Sequence, residues 1–327
     1  MSFASSVTIL VPVLNEENYV RRAITTLVPT DSELDYELII VDGGSTDRTR
    51  QIIDEIIMTN SRIRLLSNAA RVQSAAVNTG ATVAKPDSRI IIRADCHAEY
   101  PPGFVDGLVR ELRERDVASV VVPMRAVGTG FLQRAIAAAQ NSRLGNGGSS
   151  HRRNVDSRYV EHGHHAAFDR ETFLSVGGYD ESFTHNEDAE FDIRLTGAGA
   201  KIWLCSELRI TYFPRDSFRA LIRQYFKHGS GRARTMFKHR RLPQMRQVLP
   251  LTALGTNLVS FAAGIGFGWP FFLPGIVYLG TCAIWGGVLA RSERDPACIG
   301  SGVAAVIMHH SWAAGFLYQS VRLAVRT

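Results

Sequence analysis

Short apolar runs alternate with helical patterns from Val7 to about Phe213. "VTILVPV" (7–13), "YELIIVD" (36–42), "IRLLS" (63–67), "SRIIIRAD" (88–95) and "VASVVVPM" (117–124) have the length and β-branched content of strands. Within the second, Leu38 to Val41 has the composition of a strand buried on both faces, as in a parallel sheet. Helical spacing fills the gaps over Asn18 to Leu27, Asp47 to Met58, Ser74 to Ala84 and Gly103 to Asp116. That alternation predicts a doubly wound α/β domain with a mostly parallel sheet. Ser45 or Thr46 stands where a side chain caps the second helix. The stretch 126–165 is the least patterned, with "NGGSSHRRN" and "EHGHH" reading as loops flanking a helix.

Beyond Asp216 the pattern changes. No acidic residue occurs between Asp216 and Glu293, and "FKHGSGRARTMFKHRRLPQMR" concentrates Lys227, Arg232, Arg234, Lys238, Arg240, Arg241 and Arg246. From Val248 to Ala290 there is then no charged side chain at all. A bilayer crossing takes about 20 apolar residues per helix, so two membrane segments are expected, roughly 248–267 and 271–290, broken around Trp269-Pro270 and Pro274. Cys298 to Val321 is a candidate third, weakened by His309 and His310. Three full spans would put Arg322 and Arg326 on the far side, against the positive-inside rule, so one segment is expected to be re-entrant or interfacial.

The net charge of +6 hides this asymmetry. The basic block beside an apolar run supports cytoplasmic placement at anionic lipid and accounts for the charge without nucleic acid. Cys96, Cys205, Cys282 and Cys298 are scattered, as in a reducing compartment. The N-terminal residues run straight into a strand, so no signal peptide is expected.

Strand tips in open α/β sheets bind ligands, and here they carry acid: Glu16 and Glu17, Asp42, and Asp95. No glycine follows the first strand, and no Gly-rich loop with Lys-Ser or Lys-Thr follows any strand. Neither a dinucleotide fingerprint nor a P-loop is present. Acids in those places suit recognition of a base or ribose and a divalent metal that holds the phosphates.

Four ordered motifs, "VPVLNEENYV", "IIVDGGSTDRT", "RADCHAEYP" and "VGGYDESFTHNEDAEFDIRLTGAGAKI", resemble those of family 2 glycosyltransferases with a GT-A fold, over about residues 7–230. With the tail "RQYFKHGSGRART" followed by apolar segments, the resemblance is to bacterial exopolysaccharide glucosyltransferases of the succinoglycan type. The resemblance implies that Asp42 accepts from the uracil N–H of a UDP-sugar, with Pro12, Asn15 and Glu16 around base and ribose. Arg71 falls in a loop near the nucleotide, where it is either a contact or a solvated arginine. Asp95 matches the first acid of the Asp-X-Asp metal motif, here Asp95-Cys96-His97. Either His97 is a second ligand, which suits Mn2+ better than Mg2+, or Asp95 holds the metal alone. Asp188 matches the base that deprotonates the acceptor hydroxyl, Glu187 orients acceptor or base, and Glu190 and Asp192 read as complements to the helix dipole. Arg215, with Lys227 or Arg232, is placed to lie over the diphosphate, the last two being equally suited to lipid headgroups. His164 and His165 fall in an acceptor-side loop and are left outside the site.

The expected protein is a metal-dependent inverting enzyme that moves a sugar, glucose by resemblance, from a UDP-sugar to a lipid-linked saccharide in exopolysaccharide biosynthesis. It is expected at the bacterial inner membrane with its catalytic domain in the cytosol. The expected divisions are 1–216 for the GT-A domain, 217–247 for a basic amphipathic interface segment and 248–327 for two to three transmembrane or re-entrant helices. A processive polysaccharide synthase is one alternative, although Gln224 is followed by "YFKHG" where such enzymes have Gln-x-x-Arg-Trp. A polyprenyl-phosphate sugar synthase is another. Outside the class, a catalytically silent membrane scaffold is disfavoured by the intact Asp42, Asp95 and Asp188.

Overall fold

The computed structural model describes residues 6–31, 33–147 and 156–325. Part of "NGGSSHRRN" and Arg326 lie outside the described residues. The chain divides into two compact units: Met1–Met124 with Asn154–Tyr212, and Arg125–Arg153 with Phe213–Thr327. Residues 125–147 thus share a unit with the chain that follows Tyr212.

In the first unit, β1 (Ser6–Val13), β2 (Tyr36–Asp42), β3 (Ile63–Ser67) and β4 (Ser88–Arg93) are parallel neighbours in the order β3-β2-β1-β4. Their register alternates side chains between two faces. Val7, Ile9, Val11 and Val13 of β1 and Leu38 and Ile40 of β2 join one apolar cluster, while Leu10, Ile39 and Val41 join the other. The helices α1 (Val20–Leu27), α2 (Thr49–Ile57) and α4 (Phe104–Glu114) supply the first cluster, and α3 (Gln73–Val83), α7 (Arg170–Ser175) and α8 (Glu187–Gly197) the second. The result is a sheet covered on both faces, which is why its strands read as continuous apolar runs.

The rest of the large sheet departs from the parallel pattern. It continues through β9 (His164–Asp169), β6 (Ser119–Val122), β10 (Ile202–Leu204) and β8 (Arg158–Val160), with β9 antiparallel to both β4 and β6. "EHGHH" is thus only half loop, since His164 opens a strand. Two short strands, β5 (Ala98–Glu99) and β11 (Ile210–Tyr212), pair antiparallel apart from it, and β7 (Met124–Ala126) lies at the first junction between units.

The second unit is helical. It contains α5 (Phe131–Asn141), α6 (Arg143–Asn146), α9 (Phe218–His239), α10 (Met245–Phe267), α11 (Leu273–Ser292) and α12 (Ser301–Ala324). Two helical segments, Met245–Phe267 and Trp269–Ser292, are long and apolar enough to cross a membrane, and most of each is exposed. The candidate third segment behaves differently. Ala304, Met308 and Phe316 of α12 are buried against Leu221 and Ala233 of α9 and Ile136 of α5. Gly229 and Gly315 let the α9 and α12 backbones meet, since a Cβ at Gly229 would sit 1.9 Å from the Trp312 carbonyl oxygen.

Candidate active site

The chain runs outward from β1 to β3 and returns to β4 on the other side of β1, so the carboxyl ends of β1 and β4 flank the point where strand order reverses. Loops from β1, β2 and β4 meet there. The first two are laced together: Asn15 Oδ1 accepts from the Thr46 N–H at 2.8 Å, Ser45 Oγ from the Asn15 N–H at 2.9 Å, and Thr49 Oγ1 from the Glu16 N–H at 2.7 Å. Asn15, at φ 57°, is thereby a spacer between loops. Pro12 is half-buried just before it.

Asp42 sits at the tip of β2 as expected, but its carboxylate faces its own loop. Oδ1 accepts from the Ser45 N–H (3.0 Å) and hydroxyl (2.6 Å), and Oδ2 from Arg50 (3.2 Å). Its side chain is fully enclosed. Ser45 is therefore bound to Asp42 and caps no helix; α2 starts at Thr49, whose N–H donates to Asp47. Gly44, at φ 86°, leaves room for the Arg71 guanidinium, which lies 3.0 Å from where a Cβ would stand. Arg71 thus belongs to the same loop cluster.

The chemistry gathers around Arg93, the last residue of β4, which sequence reasoning passed over. Only 5% exposed, its guanidinium donates to Asp188 Oδ1 and to the Tyr179 hydroxyl (3.0 Å), and stands 3.4 Å from Glu187 and 3.8 Å from Asp95. Tyr179 in turn donates to Asp188 Oδ1 at 2.9 Å. A pair of backbone hydrogen bonds to Asn78 fixes Tyr179, and Gly178, at φ 62°, permits the approach, because a Cβ there would meet Asn78 Oδ1 at 2.5 Å. Asp188 and Glu187 open α8, whose N-cap Asn186 takes the left-handed conformation.

Three carboxylates and one guanidinium share this space, and their proton affinities diverge. Burial pushes the Glu187 carboxyl up to about 7, reinforced by Asp188. Burial would also raise Asp95, but the Arg93 guanidinium, helped by His164 and His97, holds it below the usual carboxylate value. Despite burial, Asp188, Tyr179, Asp95 and Glu187 push Arg93 well above its ordinary value, so it stays charged.

Asp95 Oδ1 accepts from Gln73 at 2.6 Å, and its Oδ2 lies 3.7 Å from His164 Nε2, beyond hydrogen-bonding range. His164 Nδ1 is 3.9 Å from Asp188 Oδ2, so this histidine stands between the two acids. The antiparallel register, with Ile92 opposite Ala167, carries it there. His97 also stands near enough to act on the Asp95 carboxylate, but its Nδ1 pairs with Glu16 Oε1 at 3.2 Å. Among the described residues no group of three or more His, Cys, Asp or Glu side chains is arranged to enclose a metal. What the site offers a cation is net negative charge and one carboxylate oxygen, which suits a hard ion that completes its shell with phosphate and water.

Glu190 and Asp192 do more than complement the dipole. Both are buried, Glu190 paired with Arg194 at 2.7 Å and Asp192 with His162 at 2.5 Å. Arg215 is exposed and falls in the second unit, just before α9.

The family model of glycosyl transferase family 2 matches residues 8–177. The succinoglycan biosynthesis protein ExoA of Rhizobium meliloti is 41% identical over 96% of this chain and 94% of its own length. A dolichyl N-acetyl-α-D-glucosaminyl phosphate 3-β-D-2,3-diacetamido-2,3-dideoxy-β-D-glucuronosyltransferase of Methanococcus voltae is 25% identical over 69% of this chain and 72% of its own. Among solved structures, a mannosyltransferase of Pyrobaculum calidifontis in complex with GDP-Man and Mn2+ superposes with a TM-score of 0.65 at 18% identity, covering 96% of this chain and 86% of that one. The mostly parallel sheet, the acids at its strand tips and these matches together place the chain in glycosyl transferase family 2, with a GT-A fold.

Proposed function

We propose that this glycosyltransferase moves a sugar, glucose by the resemblance of its motifs to succinoglycan-type glucosyltransferases, from UDP to a lipid-linked saccharide in exopolysaccharide biosynthesis, with inversion, at the bacterial inner membrane and with its catalytic unit on the cytosolic side. The observation that carries the reading is the group of Asp188, Glu187 and Asp95 around buried Arg93 at the carboxyl end of β4.

In this reading Asp188 takes the proton of the acceptor hydroxyl as that oxygen attacks the anomeric carbon, and Arg93 and Tyr179 fix its orientation. A single carboxylate suffices for inversion, because no covalent sugar intermediate needs a second nucleophile. The uneven proton affinities also favour a second assignment, since Glu187 at about 7 is matched to base work near neutrality. Pro12, Asn15, Glu16 and Arg71 line the nucleotide side. Asp42 reaches the base when the half-exposed Arg50 side chain swings aside.

A divalent cation, Mn2+ or Mg2+, fits the excess of carboxylate beside Asp95. Asp95 would hold it together with donor phosphate oxygens, with His97 or His164 as the nitrogen candidate. A cation held there would offset charge on the leaving diphosphate. The basic helix α9, which carries no acid, and the apolar α10 and α11 support membrane attachment near a lipid-linked acceptor.

The test is to incubate membranes bearing the protein with a panel of labelled nucleotide sugars and follow the label into organic-extractable saccharide. One donor is expected to label a lipid-linked saccharide. Label appearing on polyprenyl phosphate itself, or in a long polymer, would replace this acceptor with that of the corresponding alternative.

A further inference from the structure

The α10–α11 pair is long enough to cross a bilayer twice, but its packing divides it into a base and a free tip. At the base, the Asn257 amide meets His310 Nε2 of α12 at 3.1 Å, and the Tyr278 hydroxyl meets His309 Nδ1 at 2.9 Å. The other nitrogen of His309 lies 2.7 Å from the carbonyl oxygen of Leu144 in α6. Arg143, exposed and next in chain to Leu144, is therefore held at the level of Asn257 and Tyr278.

Beyond that level, residues 258–277 read "LVSFAAGIGFGWPFFLPGIV", with no charge. Phe261, Ile265, Phe267, Trp269, Ile276 and Val277 are exposed there. The free arm of α10, Leu258 to Phe267, rises 1.5 Å per residue and is about 15 Å long, roughly half of a hydrocarbon core of about 30 Å. If the hairpin crossed the whole core, Asn257, Tyr278 and the attached Arg143 would lie near the midplane, where an arginine is costly.

The turn itself is built for a place without water. Pro270 and Pro274 have no N–H to satisfy. The N–H of Gly268 donates to Gly264, that of Phe271 to Gly268 and that of Leu273 to Pro270. Ser260, the one hydroxyl in the segment, donates to the Phe271 carbonyl at 2.6 Å and accepts from the Gly275 N–H at 3.1 Å. Water at a far interface would satisfy these groups without such an arrangement; hydrocarbon would not.

We infer that residues 258–277 form a re-entrant wedge, which enters the acyl chains of one phospholipid leaflet, turns there at Trp269–Phe272 and returns to the face it came from. The inference rests on the membrane attachment proposed above. It puts α12 and α6 at headgroup level, and Arg246 and Arg291 on one side.

The experiment uses the full chain in native membranes, as right-side-out and inverted vesicles. Trp269→Cys, and separately Gly266→Cys, are exposed to a membrane-impermeant maleimide, with wild type as background because all four native cysteines are buried. Gln244→Cys marks the attachment face. A wedge predicts labelling at 244 from one side only, and none at 269 or 266 from either side until detergent is added. A nitroxide at 269 should then be several-fold more accessible to oxygen, and less to a nickel chelate, than one at 244. Labelling of 269 from the side opposite to 244 would overturn the wedge in favour of a full crossing. Labelling of both from one side in a chain that alkaline washing removes would instead overturn the membrane attachment.

Discussion

At the residue scale the site is a problem of too much negative charge in too little water. Glu187 holds its proton up to about 7, against an ordinary 4.5, so the folded chain binds more protons than the unfolded one between those values. Its contribution to stability is therefore complete below 4.5 and lost as pH rises through 7. Thermal melts from pH 5 to 8 should decline with pH, and Glu187→Gln should flatten that decline; an unchanged slope would assign it to other groups. Asp42→Asn should raise KM for the donor about tenfold, the scale of a hydrogen bond to a charged group, with kcat nearly kept. Steady-state kinetics decide it, and an unchanged KM would leave Asp42 as a brace for Ser45 and Arg50 alone.

At the scale of elements, the α9–α12 crossing gives a direct forecast. With a Cβ at Gly229 only 1.9 Å from a carbonyl oxygen, Gly229→Ala must push the helices apart and should cost about 1–3 kcal/mol, the range for overpacking. Urea unfolding of the detergent-solubilised protein measures it. The four parallel strands were legible in sequence because burial on both faces leaves an unbroken apolar run, as in Leu38 to Val41. β9 was not legible: "HHAAFD" is short, mixed and preceded by a loop-like run, and its antiparallel pairing is a tertiary choice. Missing β9 meant leaving His164 out of the site. Arg93 escaped for another reason. Inside the run "SRIIIRAD" it reads as a strand residue with only Asp95 beside it, whereas Glu187 and Asp188 reach it from 94 and 95 residues further along the chain. The "GGYDE" run held a usable signal for Tyr179, since two adjacent glycines before an aromatic residue mark a backbone that needs positive φ.

At the scale of the molecule, the chain joins a catalytic α/β unit to a helical unit suited to lipid. Electrostatic attraction of Lys and Arg to an anionic leaflet is screened within about 8 Å at physiological salt, whereas buried hydrocarbon is not. The full chain should thus stay on membranes through a high-salt wash, and sedimentation after washing checks it; release by salt alone would reduce the attachment to the basic face of α9. Removing everything after Arg246 is a poorer test, because Leu221 and Ala233 of α9 are buried against α12. The central claim is that Asp188 performs proton transfer from a site assembled around Arg93. Its most direct measurement is the rate of UDP release from saturating UDP-sugar and acceptor-bearing membranes, comparing wild type with Asp188→Asn in parallel with donor-binding titrations. The account predicts a fall of about 10² or more with donor affinity nearly unchanged, the scale of losing a general base; wild-type release by Asp188→Asn would contradict it.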